Sequence, residues 1–175
     1  YIILTKDGPK FFADTTVNLN PSAEEIVEIT LLTAATVKRF GLVPKIALLS
    51  YSNFGSAKGP DAEKMEKASA ILHKNHPNLI VDGEIQANFA LNKELLKEKF
   101  PFSRLVNSQA NTLIFPNLSA GNIAYKIIDE MTPVDTIGPI LMGMDKPFHV
   151  LTLGGSVKEI VNMVTIAVLD AQQKK

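Results

Sequence analysis

The run from Ala110 to Tyr125, Ala-Asn-Thr-Leu-Ile-Phe-Pro-Asn-Leu-Ser-Ala-Gly-Asn-Ile-Ala-Tyr, passes from strand to helix in a few residues and constrains the fold more than any other part of the chain. Thr112 to Phe115 form a short apolar run suited to a buried strand. Pro116 then removes a ladder donor and ends it. Asn117, Ser119, Gly121 and Asn122 make a small polar turn, and Ile123, Ile127 and Ile128 carry helical spacing after Ser119. A strand feeding directly into a helix is the repeating unit of a parallel sheet. The helix N-terminus offers free N–H groups and a dipole that favour an anion, so Asn117, Ser119, Gly121 and Asn122 are candidate ligand-binding residues.

The same alternation runs through the rest of the sequence. Tyr1–Leu4 and Lys10–Ala13 flank the turn signal Lys6-Asp7-Gly8-Pro9 and predict a hairpin. Ser22 and Glu25 have the spacing of a capping box, opening a helix that runs to about Phe40 and stops at Gly41. Lys45–Ser50 predicts a short strand covered on both faces. A polar loop, Tyr51–Gly59, leads into a helix from about Pro60 to His76, with proline near its first turn. Leu79–Val81 predicts a strand and Asn92–Lys99 a short helix. Ile140–Met142 and His149–Leu151 predict two further strands, and Ser156 to Gln172 a last helix. The pattern specifies an α/β protein with three α/β/α layers and a mostly parallel sheet. Ligands of such sheets sit outside the carboxyl ends of the strands. The loops Ser50–Gly59, Pro116–Gly121 and Thr152–Ser156 are therefore the places to look.

Composition narrows the function classes. The 175 residues are 46% hydrophobic and 21% charged, enough for one ordinary folded domain with a real core. The net charge is +0, and no basic cluster points to nucleic acid or an anionic membrane. Cysteine is absent, which excludes disulfides, thiolate metal sites and a cysteine nucleophile. No run of eighteen apolar residues and no leader pattern stand in the sequence, so a cytoplasmic location is the expectation. The chain opens on Tyr1-Ile-Ile-Leu, already a strand pattern, and is expected to be part of a longer protein.

Several residues invite chemistry. Ser50, Ser52, Asn53 and Ser56 follow a buried strand and offer hydroxyls and an amide suited to phosphate oxygens. The loop has neither the G-K-[ST] ending of a Walker loop nor a G-x-G-x-x-G pattern, so an ordinary loop satisfied by its own turns stands beside that reading. Ser156 and Glu159 have capping-box spacing, which accounts for both without catalysis. His73, His76 and His149 show no metal-ligand spacing, and no metal site is expected. His73 and His76 are expected on a solvated helix end. Asp14, Asp82 and Glu84 read as isolated carboxylates at strand ends, and Met142, Met144 and Met163 as apolar fillers. Lys146 is a cation placed to meet a phosphate or simply to be solvated. In the last helix Ile160, Val161, Val164, Ile166, Val168 and Leu169 cover more than one face, which predicts burial against something beyond a single sheet.

Four segments carry a resemblance: Phe12-Ala-Asp-Thr-Thr-Val-Asn18, Val81-Asp-Gly-Glu-Ile-Gln86, Ala110 to Tyr125, and Ile137-Gly-Pro-Ile-Leu-Met-Gly-Met-Asp-Lys-Pro147. In their order and wording the chain resembles the phosphotransacetylase (phosphate acetyl/butyryl transferase) family over nearly its whole length. Asn53-Phe54-Gly55 looks most like the C-terminal phosphotransacetylase-like part of bacterial hybrid NADP-dependent malic enzymes. The resemblance implies an isocitrate/isopropylmalate dehydrogenase-like fold and a cleft for acetyl-CoA or CoA, to which Gly138, Gly143, Lys146 and Thr152 would contribute. It also implies that residues 1–175 are the C-terminal part of a phosphotransacetylase-like domain. NADP and Mg or Mn would then serve only an absent malic-enzyme half.

The resemblance breaks at one place. The family usually reads S-R-G-x-S-x-x-D where this chain has Thr152-Leu-Gly-Gly-Ser-Val-Lys-Glu159. In that pattern the serine and aspartate serve the CoA thiol or the transition state, and the arginine binds the phosphate. Thr152 keeps a hydroxyl and Glu159 a displaced carboxylate, but Leu153 replaces the guanidinium with nothing that binds an oxyanion. No confident catalytic residue remains. The leading expectation is an acyl-CoA-binding regulatory and oligomerisation domain, at least dimeric, without acetyl transfer of its own. The alternatives are an active phosphate acetyltransferase and a purely structural dimerisation domain.

Overall fold

A computed structural model describes residues 1–151 and 153–173. Six strands form one sheet in the order β4-β3-β5-β2-β1-β6. Strands β1 (Ile2–Thr5) and β2 (Gly8–Ala13) are the expected antiparallel hairpin, with Ile2 opposite Phe11 and Thr5 opposite Gly8. Strand β2 lies parallel to β5 (Thr112–Ile114), which lies parallel to β3 (Lys45–Leu49), which lies parallel to β4 (Ile80–Ile85). The parallel run thus holds four strands, and β1 and β6 (Asp135–Ile137) extend it at one side through two antiparallel pairings.

Side-chain alternation along each strand divides the core between two faces. Ile46 and Leu48 of β3, Val81 of β4 and Ile114 of β5 meet helices α1 (Ala23–Arg39) and α2 (Pro60–Asn75). Ala47 and Leu49, with Ile85 and Leu113, meet the opposite layer through Ala90 of α3 (Ala87–Leu91), Leu96 of α4 (Lys93–Lys99) and Tyr125 of α5 (Leu118–Met131). The result is the three-layer α/β/α arrangement with a mostly parallel sheet. Helix α1 begins with the capping box its sequence specifies: the Glu25 amide donates to Ser22 Oγ at 3.2 Å, and the Ser22 amide donates to Glu25 Oε2 at 2.7 Å. The chain leaves it through Gly41, whose φ of +73° suits a residue without a Cβ.

Four details differ from the sequence reading. Strand β4 does not end at Val81 but continues to Ile85, because Asp82 and Glu84 find hydrogen-bond partners that permit their burial. Helix α3, five residues long and without a polar cap, carried no sequence signal. Helix α5 starts one residue before Ser119, capped by Asn117 Oδ1, which accepts from the Ala120 amide at 3.0 Å. Residues 140–142 and 149–151 form no strand: the sheet edge beside β1 is occupied by Asp135–Ile137, and Gly138-Pro139 ends that pairing. The last helix, α6 (Val157–Gln173), stands where predicted.

Candidate functional site

The carboxyl ends of β2, β3, β4 and β5 open onto three groups of polar residues. The first is the loop after β3. Ser52 is fully buried and its hydroxyl donates to Glu84 Oε1 at 2.9 Å, while the Gly55 amide donates to the same oxygen at 2.6 Å. Ser52 Oγ also accepts from the Ala57 amide, Ser56 Oγ from the Asn53 amide, Asn53 Oδ1 from the Gln86 amide, and Ser50 Oγ from the Ser52 amide. These bonds lie within the loop and between it and the end of β4. The Ser52 hydroxyl and the Gly55 amide hold the loop on Glu84.

The second group surrounds the start of α5. Asn117 caps the helix and donates its amide to Asp61 Oδ2 at 2.9 Å, which joins this group to the first turn of α2. Asn122 Nδ2 donates to the Thr15 carbonyl at 3.1 Å. Gly121 is required by contact, since a Cβ there would lie 2.3 Å from the Asp14 carbonyl oxygen. Ser119 stands in the first turn of the same helix. The structure therefore brings Asn117, Gly121 and Asn122 together with the segment after β2, which sequence reasoning gave no ligand role.

That segment is organised by Asp14. Its carboxylate accepts from the amides of Thr16, Val17 and Asn18 and from Asn18 Nδ2, at 2.7–3.0 Å. Burial alone would raise its pKa, but these four donations together hold the carboxyl below its ordinary value. The signal that could have found it was the cluster Asp14-Thr15-Thr16-Val17-Asn18 directly after a strand, a composition that favours side-chain-to-backbone turns. Residues 13–18 form one wall of a cavity of about 300 Å³, and Ile29, Leu32, Pro139, Ile140, Leu141, Met142 and Met144 close it. Tyr1 also lines it, stacked on Tyr125 with ring centroids 4.1 Å apart. Burial, the Tyr125 hydroxyl and nearby carboxylates push the Tyr1 phenol upward in pKa.

The third group is residues 138–146. Gly138 and Gly143 flank the cavity wall with φ values of +151° and +79°, and Lys146 is exposed. Beyond them Leu153 is wholly exposed, and neither Leu153 nor Glu159 lines the 300 Å³ cavity. Glu159 is held in the second capping box: its Oε2 accepts from the Ser156 amide at 2.5 Å and its amide donates to Ser156 Oγ at 3.2 Å. That donation holds the Glu159 carboxyl below its ordinary pKa. Thr152 lies outside the described residues.

The remaining titratable groups correct the sequence reading. Asp82 and Glu84 are not isolated strand-end acids but buried residues within β4. Asp82 Oδ2 accepts from Ser103 Oγ and the Arg104 amide, both at 2.8 Å. His73 is half-buried rather than solvated, with Nε2 3.0 Å from the Val81 carbonyl and 3.5 Å from Asp82 Oδ1. His149 is buried with Nε2 3.3 Å from Asp170 Oδ2, and Asp170 also meets Arg39 at 3.2 Å. Among the described residues, no three acidic or histidine side chains gather as a metal-ligand set, and no helix is long and apolar enough to cross a membrane.

Comparison with known proteins places these features. The profile of the phosphate acetyl/butaryl transferase family matches residues 1–168. An NADP-dependent malic enzyme of Haemophilus influenzae is 47% identical over 167 residues, covering 95% of this chain and 22% of that protein. A phosphate acetyltransferase of Clostridium acetobutylicum is 40% identical over 169 residues, covering 96% of this chain and 50% of that protein. The crystal structure of a phosphotransacetylase from Streptococcus pyogenes superposes with a TM-score of 0.89 at 38% identity, over 99% of this chain and 52% of that one. The chain thus spans about a fifth of the malic enzyme and half of the phosphotransacetylases. These structural matches are to phosphotransacetylases and lend no support to the narrower isocitrate/isopropylmalate dehydrogenase comparison.

Proposed function

The chain belongs to the phosphate acetyl/butaryl transferase family, and from that premise we propose that it is the acyl-CoA-binding regulatory and assembly domain of a cytoplasmic hybrid malic enzyme. Malate oxidation, with NADP and Mg or Mn, would belong to the other half of such a protein. The observation that carries the proposal is the state of the family's catalytic segment. Leu153 presents no charge where the family pattern has arginine, and Glu159 is engaged in a helix cap. Removing one preorganised donor from a developing oxyanion costs about 2.7–4 kcal/mol in comparable enzymes. A phosphate dianion without its guanidinium loses both a charge and a planar fork.

Binding asks less than catalysis. In this reading the start of α5, the 13–18 segment and the 138–146 segment supply a cleft with one polar and one apolar wall at the carboxyl ends of the parallel strands. Ser119 and Lys146 meet the polar parts of acetyl-CoA or CoA there. Ser50, Ser52, Asn53 and Ser56 shape the neighbouring loop through Glu84. The homologous NADP-dependent malic enzymes, at 47% and 46% identity, favour this reading.

The second reading, an active phosphate acetyltransferase, is favoured by the 40% identity with the Clostridium acetobutylicum enzyme. Its arginine would then come from outside residues 1–175. Incubating the intact protein with acetyl phosphate and CoA decides between them. We expect no acetyl transfer, together with saturable binding of CoA by calorimetry at about −8 kcal/mol, a micromolar dissociation constant. Turnover of about 10 per second would establish the second reading, and absence of binding at millimolar CoA would remove the first.

A further inference from the structure

A second cavity, of about 520 Å³, opens beside the β1–β2 hairpin and shares Phe12 with the 300 Å³ cavity. Its walls are one face of the hairpin (Ile3, Thr5, Lys10, Phe12), the end of α5 (Ile128, Thr132) and Leu91 of α3. Ile3 and Phe12 belong to the core, and Leu91 and Ile128 pack against it, so the floor is apolar and firmly held. A volume of this size lies within the range that holds small organic ligands.

One charged group interrupts this apolar surface. Lys10 runs across it half-buried, and its ammonium donates to the Ala110 carbonyl at 3.0 Å. An ammonium has three N–H groups, and no other acceptor engages it among the described residues. Burial lowers its pKa from the ordinary lysine value, with Asp7 acting against that and Lys45 with it. A charged donor next to an apolar wall is stabilised by a ligand that brings one negative charge and hydrocarbon together. Asp7 at the rim disfavours a second negative charge, which distinguishes a monocarboxylate from a phosphate dianion. Lys6 at the same rim offsets Asp7, so Lys10 leaves the lining with a net charge of +1, which one carboxylate neutralises.

We propose that this cavity binds a small amphipathic monocarboxylate, with its carboxylate on the Lys10 ammonium and its hydrocarbon chain against Ile3, Phe12, Leu91 and Ile128. The inference does not rest on the CoA reading, because Lys10 lines this cavity and not the 300 Å³ one, although Phe12 borders both.

The test is calorimetric titration of the intact protein with sodium octanoate, with 1-octanol as the uncharged control. Saturable octanoate binding below about 10 mM is expected, with octanol at least about tenfold weaker. Lys10→Met should weaken octanoate at least about tenfold while Lys10→Arg keeps it within about threefold, since arginine retains the charge. Should Lys10→Met fail to fold, Thr132→Trp at the exposed helix end fills the mouth without touching the core and should block binding alone. CoA binding should be unaffected by any of the three variants. Absence of saturable octanoate binding, equal binding of octanol, or competition between octanoate and CoA would each overturn the proposal. Loss of CoA binding in unmodified protein would overturn the CoA reading and leave this one standing.

Discussion

Along β4 even the carboxylates are buried and paired, whereas along α6 even the valines face outward. Glu84 is 1% exposed because a serine hydroxyl and a glycine amide converge on one of its oxygens, and Asp82 is satisfied in the same way by Ser103 and Arg104. Among the described residues of α6 only Met163 and Ile166 are buried, while Ile160, Val161, Val164, Val168 and Leu169 stay exposed. Each region departs from the rule that polar residues lie outside and apolar ones inside, in opposite directions. The first departure is resolved within the chain by hydrogen bonds. The second is not resolved by the described residues. In the proposed function its cover is a second subunit or the remainder of a longer protein.

The largest expected effect lies in the buried acid. Glu84→Ala leaves Ser52 Oγ and the Gly55 amide without their acceptor and should lower unfolding free energy by about 3–5 kcal/mol. Denaturant unfolding measures it, and a loss under about 1 kcal/mol would show that β4 does not depend on that pairing. Next comes Gly121→Ala, whose methyl group would meet the Asp14 carbonyl. It should cost about 1–3 kcal/mol by overpacking and displace α5 from the 13–18 segment, visible as altered amide shifts at Thr15 and Thr16.

A third expectation concerns acid. The folded pKa of Asp14 lies below the unfolded one, so its contribution is full above the unfolded value and vanishes as pH falls through the folded value. Asp14→Asn keeps the shape but removes the charge, and should lower stability at neutral pH by about 1–2 kcal/mol while flattening its decline on acidification. An unchanged acid limb would detach Asp14 from the fold of the cleft.

The α6 surface gives smaller numbers and a sharper contrast. Val164→Asp should change the unfolding free energy of an unassembled chain by no more than about 0.5 kcal/mol, because the side chain is already in water. In the intact assembly the same substitution should halve the mass seen by light scattering, since an unpaired buried charge costs several kcal/mol. If neither quantity moves, the exposed stripe is not an interface. The smallest effect is expected at Leu153→Arg. It should leave stability unchanged and restore no acetyl transfer, because Glu159 remains in its cap.

Much of the architecture was legible because it is written in local chemistry. Ser22 with Glu25, Pro60 after Gly59 and the alternation of apolar runs with capped helices each act over a few residues. The ends of β4 were not legible, because Asp82 and Glu84 look like strand terminators until Ser52, Gly55 and Ser103 arrive from elsewhere in the chain. For the cleft, sequence pointed to the start of α5 and the 138–146 segment but passed over Asp14, whose importance comes from folding back on its own following amides. The Ser50–Ser56 hydroxyls looked available for a ligand, and the fold turns Ser52 onto Glu84, thirty-two residues downstream, and Ser50 and Ser56 onto amides of their own loop.

The sequence by itself determined the hairpin, the longer helices, the layering and the family, but neither α3 nor β6, since periodicity, caps and motif wording are properties of neighbouring residues. Only the tertiary structure decided the strand order, the burial of acids in the edge strand and the exposure of one face of α6. Those outcomes depend on which distant groups meet. A buried carboxylate is tolerable only when its donors are in place, and an apolar helix face is covered only when something packs on it.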